Sequence, residues 1–170
     1  MTTIRLPLSD GRFEDYRIKN GPLEPVSAST QSGDASRIAY SAVHVVANPL
    51  ADNDPWLDAA IDWDETVAFR NYIWDLGLGV AEAMDTAQRG MGVDWPTALE
   101  LIHRSIDAAK DRPGALIASG AGTDHLAADA GVTVDDVIRA YEEQVEAVEA
   151  LGGRIILMAS RALVRARPSG

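Results

Sequence analysis

The sequence predicts an α/β fold in which parallel strands alternate with helices. Short apolar runs alternate with capped amphipathic segments, and the return from each helix to the next strand is short. About four such units follow residue 37. Two architectures remain open at this point, since an open doubly wound sheet has about five strands and a βα barrel has eight. The chain is either a small open sheet or half of a barrel.

The N-terminal residues differ from the rest in composition. Apolar and other residues alternate over 4–8, a Ser-Asp-Gly turn follows, and Phe13 and Tyr16 come next, which predicts a short β-hairpin. Residues 21–36 are rich in Pro, Ser, Gly and Thr and indicate a linker. We therefore divide the chain into a hairpin with linker, 1–36, and a βα region, 37–170.

The βα region contains its elements in a regular order. Four apolar runs predict parallel strands, at residues 38–47, 79–84, 115–119 and 154–159. The helices between them begin at N-cap residues, namely Asp62 in a capping box with Glu65, Asp94, and Thr133 with Asp136. Glycine or proline ends each helix, at Gly77, Pro113 and Gly152.

Composition excludes several classes of function. The 170 residues contain no cysteine, which excludes a disulfide scaffold, a thiolate zinc site and a cysteine nucleophile. The net charge of −11 argues against binding to nucleic acid or to an anionic membrane surface. No apolar run resembles a secretory signal or a membrane span, so we expect a cytoplasmic protein.

Polar residues concentrate where the predicted strands end and the helices begin. Ligand sites lie at this edge in both architectures. The candidate substrate-binding residues follow the second and third strands: Glu82, Asp85, Thr86, Gln88, Arg89, Asp124 and His125. Among them, His125 lies beside Asp124 in a glycine-rich loop and is the best candidate for acid–base work.

Glu82 has a second interpretation, because it lies within a strand between two alanines. A buried carboxylate is costly unless it is paired or hydrogen-bonded. The residue therefore belongs either to the site or to a structural ion pair with Arg89 or Arg154.

Several stretches resemble one protein family. They are residues 37–49 with 61–63, 79–90, 119–126 and 153–161. Together they resemble the dihydrodipicolinate synthase and N-acetylneuraminate lyase family, and more specifically an uncharacterised branch of dihydrodipicolinate synthase-like proteins. The resemblance covers about residues 37–163. It implies a (β/α)8 TIM-barrel type of fold, of which about four βα units (a half barrel) are present after the hairpin.

The resemblance also implies aldolase or lyase chemistry on a small oxo-acid-like substrate, with no metal or other cofactor, in a homo-oligomer. In the family, a Gly-Thr-Thr-Gly-Glu loop binds the substrate carboxylate, and Thr86 is the residue here that matches it. The family's Schiff-base lysine lies on the sixth strand and its proton-relay tyrosine on the fifth, which this sequence lacks. Its lysines, Lys19 and Lys110, lie away from the site.

We therefore expect a truncated family member that is inactive alone. One alternative is a half-barrel or open-sheet binding module that acts as a homodimer. Another is a metal-dependent small-molecule enzyme that uses His44, Glu82, Asp124 and His125, although no ligand spacing demands a metal and we expect none.

Overall fold

The computed structural model describes residues 3–17, 38–54 and 57–167 and shows a mixed α/β fold. The strands are β1 (Thr3–Pro7), β2 (Phe13–Arg17), β3 (Tyr40–Ala42), β4 (Gly79–Glu82), β5 (Ile117–Ala121) and β6 (Ile155–Leu157). The helices are α1 (Trp63–Asp75), α2 (Trp95–Lys110) and α3 (Val134–Ala150), and a 3-10 turn spans Asp85–Ala87. The predicted α/β class is confirmed, while the predicted linker at 21–36 lies outside the described residues.

The predicted hairpin is present. Strands β1 and β2 pair antiparallel, from Thr3 opposite Arg17 to Pro7 opposite Phe13. The turn between them is closed by Leu8 N donating to Arg12 O at 2.8 Å, and Gly11 adopts the left-handed conformation that the turn requires. All residues of both strands are exposed, so the hairpin contributes nothing to the main core.

The main sheet contains four parallel strands in the order β3-β4-β5-β6. A doubly wound sheet reverses its strand order at one point, and these strands show no reversal. Helix α1 packs against β4, α2 packs against β4 and β5, and α3 packs against β5 and β6, while α2 lies between α1 and α3. Val80 packs with Ile73 and Trp74 of α1, which places it on the helix-covered face of the sheet. The helices therefore form a single layer on this face.

The predicted first strand, 38–47, is too long. Only Tyr40–Ala42 pairs with β4, because the rest of the apolar run leaves the sheet to contact α1. Val46 N donates to Thr66 Oγ1 at 3.0 Å, and Ala47 forms an isolated antiparallel bridge with Ile61. Contacts with helix residues far along the chain thus override the strand propensity of this segment.

The helix starts agree with the prediction. Asp62 accepts from Glu65 N at 3.1 Å and Asp94 accepts from Thr97 N at 3.0 Å, although the return bond of a capping box at Asp62 is absent. The box of α3 is complete, since Asp136 also accepts from Thr133 N at 2.8 Å.

Glu82 lies on the helix-covered face and is fully buried. Its predicted pairing with Arg89 or Arg154 is wrong, because its partner is Arg70 of α1, also fully buried, with both carboxylate oxygens at 2.8 Å from the guanidinium. The carboxylate also accepts from Ser105 Oγ of α2 at 2.6 Å and from Ala83 N at 2.7 Å. Arg70 Nη1 donates to His44 O at 2.6 Å. One ion pair thus joins α1, α2, β4 and the segment after β3.

Substitution of two fully buried serines tests the hydrogen bonding around Glu82. Ser105→Ala removes a hydrogen bond to a buried carboxylate and is expected to lower the free energy of unfolding by about 1.5–3 kcal/mol. Ser119 Oγ has no hydrogen-bond partner within the described part of the chain, so Ser119→Ala is expected to change that free energy by less than about 0.5 kcal/mol. Urea denaturation followed by circular dichroism measures both. Equal effects of the two substitutions on the free energy of unfolding would contradict the role of Ser105 as a hydrogen-bond donor to Glu82.

Candidate functional site

An open cleft of about 840 Å³ lies at the carboxyl ends of β4, β5 and β6. Its size is ordinary for a small-molecule site. Polar residues from the three strand ends line it: Asp85, Arg89, Thr123, Asp124, Arg161 and Arg165. The structure therefore brings together three of the predicted site residues, namely Asp85, Arg89 and Asp124.

Arg89 is buried and forms the floor of this cleft. Its guanidinium donates to Gly120 O and to Gln144 Oε1, both at 2.6 Å, and forms an ion pair with Asp124. It also lies over the ring of Trp95, at 5.2 Å from the centroid. Because its donors are engaged by the protein, Arg89 organises the cleft and is not itself a free anion-binding group.

Gln144 of α3 completes the floor and was missed by the sequence analysis. Its Oε1 accepts from Gly122 N at 2.7 Å as well as from Arg89, and its Nε2 donates to Asp124 Oδ1 at 3.0 Å. A signal was present, since Gln144 follows Val137 by seven residues and precedes Val148 by four, on the buried helix face. A buried glutamine at such a position indicates a polar partner.

Asp124 is an ionised carboxylate at this floor. Burial raises its pKa, but hydrogen bonds from Gln144 and Arg89, together with the charge of Arg89, outweigh burial and hold the pKa below its ordinary value of 3.8. The Arg89–Asp124 pair is therefore internally neutral at pH 7.

His125 does not line the cleft. Its Nδ1 lies 2.8 Å from Gln144 Nε2 and its Nε2 lies 3.2 Å from Glu143 Oε2. Since the Gln144 amide donates, Nδ1 accepts and the ring proton is on Nε2. Both nitrogens are engaged by α3, so this geometry does not favour the acid–base role predicted for His125.

The remaining predicted residues lie outside the cleft. Glu82 is buried on the helix side of the sheet and cannot reach it. Thr86 is exposed and donates from Oγ1 to Val43 O at 3.3 Å. Gln88 is exposed in a left-handed conformation, φ 63°, and lines a neighbouring pocket. The cleft therefore contains three of the seven predicted site residues.

Two arginines of the cleft have no internal partner. Arg161 and Arg165 are exposed, and neither side chain forms a hydrogen bond or ion pair with any residue that the structure describes. The turn that carries them is fixed by Ser160, whose Oγ accepts from Leu163 N at 3.0 Å and lies 2.6 Å from Thr123 Oγ1. No site role was predicted for Arg165, because only the fold brings this residue to the edge of the sheet.

The hypothetical metal set is not assembled. Glu82 pairs with Arg70, whereas Asp124 and His125 contact Arg89 and α3. Within residues 3–17, 38–54 and 57–167, no three histidine, cysteine or acidic side chains are grouped so that they could hold a metal ion. Over the same ranges, no helix is both long and apolar enough to cross a membrane.

Comparison with known proteins identifies the family. Residues 4–169 match the model of a family described as protein of unknown function (DUF993), so the chain belongs to that family. No curated protein matches the chain. The resemblance to dihydrodipicolinate synthases stays a prediction.

The lowered pKa of Asp124 predicts a pH-dependent contribution to stability. The contribution is fully present above about pH 3.8 and is lost as the pH falls through the lower pKa of the folded state. Asp124→Asn is expected to lower the free energy of unfolding at pH 7 by about 1–3 kcal/mol, and this difference should shrink below pH 3.8. Asp85→Asn, on the same cleft, is the matched control. A difference that stays constant from pH 7 to pH 3 in urea denaturation would refute the assignment.

Proposed function

We propose that the chain supplies the first half of a βα barrel of the dihydrodipicolinate synthase and N-acetylneuraminate lyase type, and that its cleft binds a small oxo-acid-like substrate. The observation that carries this proposal is the pair of uncompensated arginines at the carboxyl end of a parallel sheet. Arg161 and Arg165 lie above a floor whose own charges are already paired. The charged side chains that line the cleft, which include Asp85, sum to +1, and an anionic ligand complements this charge.

The strand order supports the half barrel. Strands added one after another, with all helices on one face, form the arrangement that closes into a barrel when continued. On the face away from the helices, large side chains lie over glycines of the sheet. A Cβ on Gly79 would lie 2.7 Å from Cδ1 of Tyr40, so the tyrosine ring occupies the space above this glycine.

The chemistry of the two arginines favours a carboxylate. A guanidinium presents parallel N–H donors that match two carboxylate oxygens, and charge-assisted bonds of this kind are about twice as strong as neutral ones. In a chain of net charge −11, two cations without internal partners attract an acid to this cleft in preference to the rest of the surface.

Covalent catalysis is not part of the proposal. Lys110 ends α2, is exposed, and bonds Asp107 at 2.7 Å, so it does not reach the cleft. The other lysine, Lys19, lies outside the described residues. A Schiff base with an oxo acid needs a lysine amine. We therefore expect this chain to bind the acid without turning it over.

A homodimer is a second candidate, favoured by the open edge of the sheet. Leu157 of β6 is 66% exposed, and Leu163 and Val164 beyond it are also exposed. An unpaired edge strand with apolar side chains tends to associate with another chain. Light scattering at micromolar concentration tests this candidate: a dimer supports it and a monomer contradicts it.

The anion site is tested by removing the two cations. Arg161→Gln and Arg165→Gln are each expected to weaken binding of pyruvate or 2-oxobutanoate about tenfold or more, because each removes a charge-assisted bond of about 1.5–3 kcal/mol. Isothermal titration calorimetry measures the dissociation constants. Arg104→Gln is the matched control, since Arg104 pairs with Glu100 on the outer face of α2. Unchanged affinity in both cleft variants, or no binding by the native chain, would rule out the proposed site.

A further inference from the structure

A second pocket lies beside the cleft, and the residues that line it are largely apolar. It has a volume of about 380 Å³ and is lined by residues from 45–53 and 58–61, between β3 and α1, and by the turn at residues 88–93. The side chains that give it this character are Val45, Ala47, Ala60, Ile61, Met91 and Val93. The volume is sufficient for part of a small ligand.

The loop that forms one side of this pocket is stabilised by hydrogen bonds between its own residues. Ala47 and Ile61 form an antiparallel bridge, and Asn48 N donates to Ala60 O at 2.9 Å. The amides of Asn48 and Asn53 are engaged within the same loop, with Leu50 N at 3.0 Å and Asp58 O at 2.7 Å. These polar groups stabilise the wall, which leaves mainly apolar surface for a ligand.

The pocket and the cleft are adjacent and share one lining residue. Met91 lines both. Arg161 Nη2 lies 3.0 Å from the position that a Cβ on Gly90 would take, so the cation lies against the residue next to Met91. The turn at residues 88–93, which contains Gly90 and Met91, is fixed by two hydrogen bonds. Gly90 N donates to Val93 O at 3.0 Å, and Val93 N donates to Gln88 O at 3.1 Å. An anion on Arg161 is therefore beside the entrance to the apolar pocket.

We propose that this pocket holds the hydrocarbon part of the ligand, so that the substrate class is a 2-oxo acid with an aliphatic chain longer than that of pyruvate. This inference rests on the proposed anion site and specifies its ligand. The methionine at the junction suits such a chain, because its flexible thioether adapts to apolar groups of different shape. Each methylene that enters the pocket is removed from water and strengthens binding about fourfold.

The test compares a homologous series in the native chain. Dissociation constants are measured by calorimetry for pyruvate, 2-oxobutanoate, 2-oxopentanoate and 2-oxohexanoate. Along the series, the constant is expected to fall about fourfold for each methylene that the pocket buries. Ala47→Phe fills the pocket from an exposed position in a β-bridge, where an aromatic side chain is tolerated. In this variant the dependence on chain length should disappear, while the affinity for pyruvate stays within about twofold of the native value.

Leu50→Phe is the matched control, because Leu50 lies in the same loop, is 92% exposed and does not line the pocket. This variant should keep the chain-length dependence. Equal affinities along the series in the native chain, with binding still lost in Arg161→Gln, would overturn this inference and leave the anion site intact. Chain-length dependence that survives Ala47→Phe would overturn it equally. If no acid of the series binds to the native chain, the proposed function fails and this inference fails with it.

Discussion

The buried ion pair between Arg70 and Glu82 is the interaction on which the rest of the structure depends. The carboxylate accepts four hydrogen bonds, from Arg70 twice, from Ser105 and from Ala83 N. An unpaired carboxylate at this depth would cost several kcal/mol, so the partners must all be in place when the sheet and helices pack. The pair therefore fixes the position of α1 and α2 against β4. It also fixes Ala83 in its left-handed conformation, φ 53°, where the chain turns out of the sheet.

That turn connects the structural ion pair to the site. Ala83 O accepts from Arg89 Nη1 at 3.3 Å, and Arg89 then contacts Gly120, Asp124 and Gln144. A left-handed alanine costs about 1 kcal/mol or more, and such strain is typical of segments that position functional groups. The protein thus uses one buried arginine on the helix side of the sheet and another on the cleft side. Because both are satisfied internally, Arg161 and Arg165 are the cleft cations left for a ligand.

Local sequence patterns predicted where the helices begin better than they predicted which distant residues contact each other. The caps at Asp62, Asp94 and Thr133 depend on residues three positions away, and the sequence placed all three helix starts correctly. The predicted length of β3 was wrong because the segment after Ala42 forms hydrogen bonds with Thr66 and Arg70 instead of pairing in the sheet. These two residues lie more than twenty positions after the strand.

The candidate site was predictable only in part, for the same reason. Strand ends in a parallel sheet meet at one edge, so Asp85, Arg89 and Asp124 were correctly brought together. The partner of Glu82 and the role of Gln144 depend on which helix face packs against the sheet. The residue types alone do not specify which polar side chains meet when a helix packs against the sheet. The helical spacing of Gln144 with Val137 and Val148 did indicate that this glutamine is buried.

Binding of an acid to Arg161 and Arg165 is the proposal on which the function of the cleft depends. A crystal structure of the chain with 2-oxohexanoate tests this binding. We expect the carboxylate within hydrogen-bond distance of these two guanidinium groups, above the intact Arg89–Asp124 pair, with the hydrocarbon chain directed past Met91. An acid bound elsewhere, or a cleft in which Arg161 and Arg165 do not contact the ligand, would contradict the proposal.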